Sequence, residues 1–256
     1  MVLTVNVSNS TVLLGGYEAA GRQFRACLHT SLSQSADEYA VQMRAVLSLY
    51  GAQADRLTGV IFSCVVPPLF SRIRAALALL YGGRIYHVGP GLKTGLAIRM
   101  DDPGALGGEL VCCAVAAKAR YPLPCVIISL DTAISMTALD GAGAVCGVSL
   151  MPGVRTGVDA LCARTAQLPQ IDLAAPACGV LGTNSAACMQ AGAVLGTASM
   201  LDGMLDRFAA ALGAAPACVA TGELAATLLP HCRHTYRLHE DLVLDGLYDL
   251  YLKNTK

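Results

Sequence analysis

Apolar positions along the chain follow two periods, and the switches between them mark out the elements. Residues 2–7 (VLTVNV), 11–17 (TVLLGGY) and 22–29 (RQFRACLH) are short runs rich in β-branched and apolar residues. They predict three strands joined by tight turns, with Gly15-Gly16 and Gly21 as punctuation. The period then lengthens. In SADEYAVQMRAVLSLYG, Tyr39, Met43, Val46, Leu47 and Tyr50 share one helical face, Ser35 and Glu38 have capping-box spacing, and Gly51 can end the helix. GVIFSCV (59–65) is almost continuously apolar, which suits a strand covered on both faces. Val65-Val66-Pro67-Pro68 breaks it, and a helix runs on to about residue 81. RIYHVG then predicts a short strand, followed by an irregular loop and a helix starting near Leu106.

After Pro124 the pattern restarts. CVIISLD, ISMTALD and AVCGVSL predict a second three-strand meander, helical stretches follow at about 156–166 and 184–212, and ACVATG reads as a buried strand. NVSNSTVLLGGY and SLDTAISMTALD occupy equivalent places: strand, small polar turn, strand. This weak duplication predicts an α/β protein of two halves, 1–120 and 121–256, with both turns pointing into one cleft. A last helix near 240–252 is expected to brace the halves.

Composition narrows the function classes. The chain has 256 residues, 54% of them apolar and 14% charged, so a well-buried core is within reach and extensive disorder is not expected. Formal charge is zero, which gives no reason to expect nucleic acid or an anionic membrane as a partner. Neither a signal peptide nor a membrane span is readable, and a cytoplasmic location is the expectation. The eleven cysteines are odd in number and form no CxxC pair, so they read as reduced thiols packed as small hydrophobes. His231 and His234 in PHCRHTYRLHE lack further ligands at suitable spacing, and no metal site is assigned.

Several literal strings carry more. FSCVVPPL (62–69), GLKTGLAIRMDDP (91–103), SLMPGVRTGVDALCARTAQLP (149–169), GTNSAACMQAG (182–192), VATGELA (219–225) and LVLDGL (242–247) resemble, in order, those of type III pantothenate kinases. The resemblance covers essentially the whole chain. It implies two RNase H-like, actin-like ATPase domains facing a central cleft. It also implies transfer of the γ-phosphate of ATP to pantothenate, the first step towards coenzyme A, with Mg2+ and a monovalent cation, by dimers whose pantothenate pockets form across the subunit interface. Phosphoryl transfer depends mainly on positioning and charge neutralisation, so each part can be sought here.

The chemical parts depart from the family pattern. Its first phosphate hairpin reads Asp-x-Gly-Asn-Thr; here Asn6, Ser8 and Ser10 replace the acid, the glycine and the threonine, and Asn9 alone is kept. An amide cannot supply the charge that organises a hard cation. The second hairpin, Asp-Phe-Gly-Thr in the family, reads Ser129, Leu130, Asp131, Thr132, so the leading acid is gone. Asp131 stands where phosphate needs room, to repel ATP or to hold a cation in place of the lost acid. The family's Gly-Ala-Asp-Arg becomes Gly107, Gly108, Glu109, Leu110. Glu109 is a candidate base displaced by one methylene, or an ordinary helix-start residue, and leucine cannot replace a guanidinium fork. Thr221 and Gly222 remain near the expected nucleotide base.

Residues that the family presents to a neighbouring subunit are better kept: Pro152, Gly153, Thr165, Leu168, Pro169, Gly182, Asn184 and Gln190, with Ser185 replacing a threonine that reaches pantothenate. The expectation is therefore a heteromeric kinase subunit, inactive alone, that completes the pantothenate pocket of a competent paralogue holding most of the ATP and cations. The alternatives are a non-catalytic regulatory or ligand-binding pseudokinase of the same fold, and a homodimeric enzyme using Glu109 and Asp131 in altered roles.

Overall fold

The computed structural model describes residues 1–173 and 179–255. It divides into two compact units: Met1–Gly95 with Asp101–Ala116 and Leu242–Lys256, and Leu96–Met100 with Ala117–Asp241. The linear division at residue 120 would assign the last helix to the second half; by its contacts that helix groups with the first unit.

The first unit is built on strands β1 (Val2–Val7), β2 (Thr11–Glu18), β3 (Gly21–His29), β4 (Gly59–Cys64) and β5 (Ile85–His87), in the order β3-β2-β1-β4-β5. β1 is antiparallel to β2 and parallel to β4. Helices α1 (Ala36–Leu49) and α2 (Pro67–Leu80) cover one face. The Ser35–Glu38 capping box forms, each side chain bonding the other's backbone N–H, and Gly51 follows the helix at φ +71°. Alternation along the strands sorts the residues. Leu3, Val5 and Val7 of β1 and Val60 and Phe62 of β4 join the cluster with Tyr39, Met43, Leu69 and Ile73. Thr4, Asn6, Ile61 and Ser63 fall on the opposite face, which α3 (Gly108–Arg120) and α8 (Leu242–Thr255) cover. There Leu244 reaches the β2 backbone at Gly15 beside Thr4, Gly246 sits against the Cys112 backbone, and Tyr17 donates to Asp245 at 2.6 Å.

The second unit repeats the plan. β6 (Cys125–Leu130), β7 (Ala133–Leu139), β8 (Val145–Pro152), β9 (Ala217–Thr221) and β10 (Arg237–Leu238) are ordered β10-β9-β6-β7-β8, the first sheet's order run from the other edge. Again the first strand is antiparallel to the next and parallel to the crossover strand. Residues 96–100 join this sheet beside β8, with the Arg99 N–H donating to Val145 O at 2.8 Å. Val126, Ile128 and Leu130 pack with Val158, Leu201 and Leu205. The long apolar stretch expected at 184–212 is three pieces: α5 (Ser185–Gln190), a π-helical turn (Ala191–Gly196) and α6 (Thr197–Leu212), which ends at left-handed Gly213. α4 (Val154–Arg164) precedes them and α7 (Ala225–Leu228) follows β9. Among the described residues, no helix is long and apolar enough to cross a membrane.

Candidate functional site

In a sheet with parallel strands, ligands gather at the carboxyl ends of those strands. In the first unit β1 and β4 end together. Asn6 and Ser63 are register partners there, 1% and 0% exposed, and neither Asn6 Oδ1 nor Ser63 Oγ has a hydrogen-bond partner in the protein. Side-by-side buried polar atoms of this kind are rare in native folds and point to a ligand-facing position. Helix α3 begins against them. A Cβ at Gly108 would come within 2.8 Å of Ser63 Oγ and 3.3 Å of the Val88 carbonyl, so only glycine lets the helix start this close. Gly107 precedes it, and Glu109 lies in the first helical turn, where the helix dipole favours an acid whether or not it acts as a base. Its charge, after burial itself, pushes the Cys112 thiol up.

The turn between β1 and β2 closes on itself. Ser8 Oγ donates to Thr11 O at 3.0 Å and accepts from Thr11 N at 3.1 Å, while Ser8 N donates to Thr11 O at 2.8 Å. Thr30 ties the turn to β3, donating from Oγ1 to Ser8 O and from its N–H to Ser10 O. Asn9 and Ser10 remain at the exposed tip.

In the second unit, Ser129 and Thr221 are register partners at the ends of β6 and β9. Both Asp131 oxygens are engaged, accepting from Ser129 Oγ at 2.8 Å and from the Glu223 N–H at 3.2 Å. The 131–132 turn is wedged between two glycines. A Cβ at Gly222, whose φ is +101°, would lie 2.6 Å from the Leu130 nitrogen, and one at Gly153 would overlap the Asp131 and Thr132 carbonyl oxygens. Thr132 O accepts from Gly153 N at 3.0 Å and from Thr156 Oγ1 at 2.8 Å. Thr221 Oγ1 donates to Glu240 O, so its hydroxyl holds the strand end. Asp131 is thus a turn-locking residue.

The remaining candidates sit at or beside helix ends. Thr165 Oγ1 donates back to Leu161 O at 2.8 Å and finishes α4. Ser185 is exposed at the start of α5, whose N-cap, Asn184, accepts from the Ala187 N–H. Gly182 is required because a Cβ would overlap the Cys188 backbone. Sequence reasoning missed Ser63, Thr156 and the Glu223 N–H. Ser63 alone left a signal, as the polar residue inside an apolar strand.

Whether these residues fit a divalent cation can be judged from the donors. The buried oxygens at the end of β1 and β4 belong to a neutral amide and a hydroxyl, while the two Asp131 oxygens each accept one hydrogen bond, from Ser129 Oγ and from the Glu223 N–H beyond β9. Among the described residues, no three His, Cys, Asp or Glu side chains gather where they could hold a metal ion. At the end of β1 and β4 the donors lack the carboxylate through which Mg2+ is usually bound, so that position does not fit Mg2+.

Two α/β units with the same strand order, each carrying a small polar turn at the end of its first strand, define an actin-like ATPase and sugar-kinase fold. Solved structures agree on the fold. The (R)-2-hydroxyglutaryl-CoA dehydratase component A of Acidaminococcus fermentans superposes with a TM-score of 0.57 at 13% identity, covering 100% of this chain and 99% of that one. A glucokinase from an Antarctic psychrotroph gives 0.52 at 10% identity, covering 99% and 98%. Sequence relationships are closer. The type III pantothenate kinase of Solibacter usitatus is 32% identical over 254 residues, covering 99% of this chain and 97% of its own length. That of Anaeromyxobacter dehalogenans is 33% identical, covering 99% and 100%. The type III pantothenate kinase family model matches residues 2–207, and the chain belongs to that family.

Proposed function

We propose that this chain is a subunit of a heteromeric type III pantothenate kinase, which phosphorylates pantothenate with ATP. In this reading it is inactive alone and completes the pantothenate pocket of a competent paralogue. The paralogue holds ATP and its cations, and supplies the base that takes the attacking hydroxyl's proton and the arginine that grips the pantothenate carboxylate. One observation supports the reading: loss falls on the chemical positions, while exposed apolar side chains remain in and just before the strings shared with the family. Leu150 on edge strand β8, Leu161 on α4, and Val180 and Leu181 before α5 are all exposed, Leu181 by 86%. Exposed aliphatic side chains in and just before these strings are what a partner surface would draw on. The partner this reading assigns is a complete member of the same family. Ser185, exposed nearby in sequence, is the group offered to the shared pocket.

A second reading, a non-catalytic regulator that binds ligand without turnover, is favoured by Thr165. Its hydroxyl donates to the carbonyl of its own helix. Pantothenate-dependent ADP release separates the two. The heteromer predicts silence from the purified chain and turnover on co-expression with a complete paralogue, lost with Ser185→Ala. Turnover by the chain alone, abolished by Glu109→Ala, would sink the heteromer in favour of a self-sufficient kinase. Silence with every complete paralogue, together with measurable pantothenate or nucleotide binding, would favour the regulator.

A further inference from the structure

Thr4, Asn6 and Ser63 are the polar side chains that β1 and β4 turn towards α3 and α8, and they are not satisfied alike. Thr4 Oγ1 donates to Gly15 O at 3.1 Å. Asn6 Oδ1 and Ser63 Oγ are register neighbours, yet each stays without a partner in residues that are all but fully buried. An unpaired buried oxygen carries the full desolvation penalty of its group, so the arrangement is less stable than its packing alone would make it.

The first turn of α3 is what seals these oxygens. Gly108 rests on Ser63 Oγ and on the Val88 carbonyl, the atoms nearest its ideal Cβ. The helix is pinned one turn later, where Gly246 of α8 sits against the Cys112 backbone and Cys112, Cys113 and Ala114 are buried. The approach to it is looser. Asp101–Ala105 are exposed, and their local order comes from Asp102, which accepts from the Gly104 N–H at 2.9 Å. Leu106 is buried, but Gly107 after it has nothing within 4 Å of its ideal Cβ. A turn fixed at one end, open at the other and resting on two unsatisfied oxygens has little to lose by lifting.

We infer that Leu106–Val111 is a lid over the end of β1 and β4, poised to open because its closed state strands two buried oxygens. Lifting it wets both and presents an amide oxygen and a hydroxyl at the strand ends. The inference is independent of the proposed heteromer, since every residue it uses lies in the first unit. The test is residue-resolved hydrogen exchange by NMR on the full chain. The Val111 amide reports the lid, because it bonds Gly107 O at 3.1 Å and loses that bond when the turn lifts. The Ile61 and Phe62 amides of β4 report unfolding of the sheet. Removing the stranded hydroxyl stabilises the closed state against every state in which residue 63 is wet. Ser63→Ala is therefore expected to slow exchange roughly tenfold at Val111 as well as at Ile61 and Phe62. Gly108→Ala pushes a methyl group onto Ser63 Oγ and is expected to speed Val111 exchange about tenfold, against the helical preference for alanine. Adding Ser63→Ala to that variant is expected to reverse most of the effect. An unchanged or faster Val111 amide in Ser63→Ala would mean that the hydroxyl is bonded in the closed state. Slowing at Ile61 and Phe62 alone would mean that the helix start frays without uncovering Ser63. Either result overturns the lid.

Discussion

Replacing Gly222 by alanine tests whether the second-unit turn is held by backbone crowding. Two effects act at once. An L-residue in a left-handed conformation costs about 1–2 kcal/mol, and Gly222 has φ +101°. A methyl group forced into filled space costs about 1–3 kcal/mol, and here it would sit 2.6–2.7 Å from three Leu130 backbone atoms. The sum is about 2–5 kcal/mol, a large share of a typical domain stability of about 5–15 kcal/mol. Gly213 provides the control. It has φ +67° but nothing within 4 Å of its ideal Cβ, so alanine there is expected to lose only about 1–2 kcal/mol. Urea unfolding followed by circular dichroism gives both losses. Hydrogen exchange on peptides covering 221–226 localises them, since the Glu223 and Leu224 N–H groups bond Asp131 and Leu130 across this turn. Equal losses for Gly222→Ala and Gly213→Ala, with unchanged exchange at 223 and 224, would refute the wedge.

Other expectations follow from the same geometry. Asn6→Asp puts an unpaired carboxylate at a buried position, costing several kcal/mol. By scanning fluorimetry in EDTA its Tm is expected to fall, and millimolar Mg2+ to recover part of that loss without moving wild type; an equal Mg2+ shift in wild type would contradict the neutral-donor reading. Asp140 is held below the usual carboxylate range by the Ala144 N–H first, and then by the Ala142 N–H and the Arg99 guanidinium, against some burial. Its depressed pKa contributes stability present above the unfolded value of about 3.9 and lost as pH falls through the folded one. Asp140→Asn is therefore expected to flatten the acid limb of the Tm profile, and an unchanged limb would refute this. Burial pushes the Cys125 thiol up to about 12, and thiolates are the reactive form. Maleimide at neutral pH is expected to label exposed Cys27 and Cys188 quickly and Cys125 only after denaturation; comparable rates by mass spectrometry would contradict the burial.

Local features were the legible ones. The Ser35–Glu38 cap, the strand alternation and the restart after Pro124 depend on residues within a few positions of each other, and all appear in the structure. The π-helical turn escaped because a run of Ala, Gly, Val and Leu satisfies helical periods of either pitch. Asp131 illustrates a different limit. From the sequence its carboxylate faced phosphate or a cation, but its partners include a backbone N–H 92 residues away. The family strings located both turns, yet which hydroxyls close on their own backbone depended on the register of neighbouring strands. Ser63 became a site candidate only when β4 was set against β1, with Asn6 as its partner.

The grouping of α8 with the first sheet bears on synthesis. Leu242, Leu244, Leu247 and Leu250 are buried, and Gly246 sits against the Cys112 backbone, so α8 and α3 form one cover made at widely separated times. A ribosome has finished β1 to α3 long before α8 exists, while residues 117–241 emerge as an uninterrupted stretch. Domains generally fold as units during translation. The later-made unit is therefore expected to reach its native state first, leaving the N-terminal sheet waiting with one face covered by α3 alone, the interval in which it most needs a chaperone.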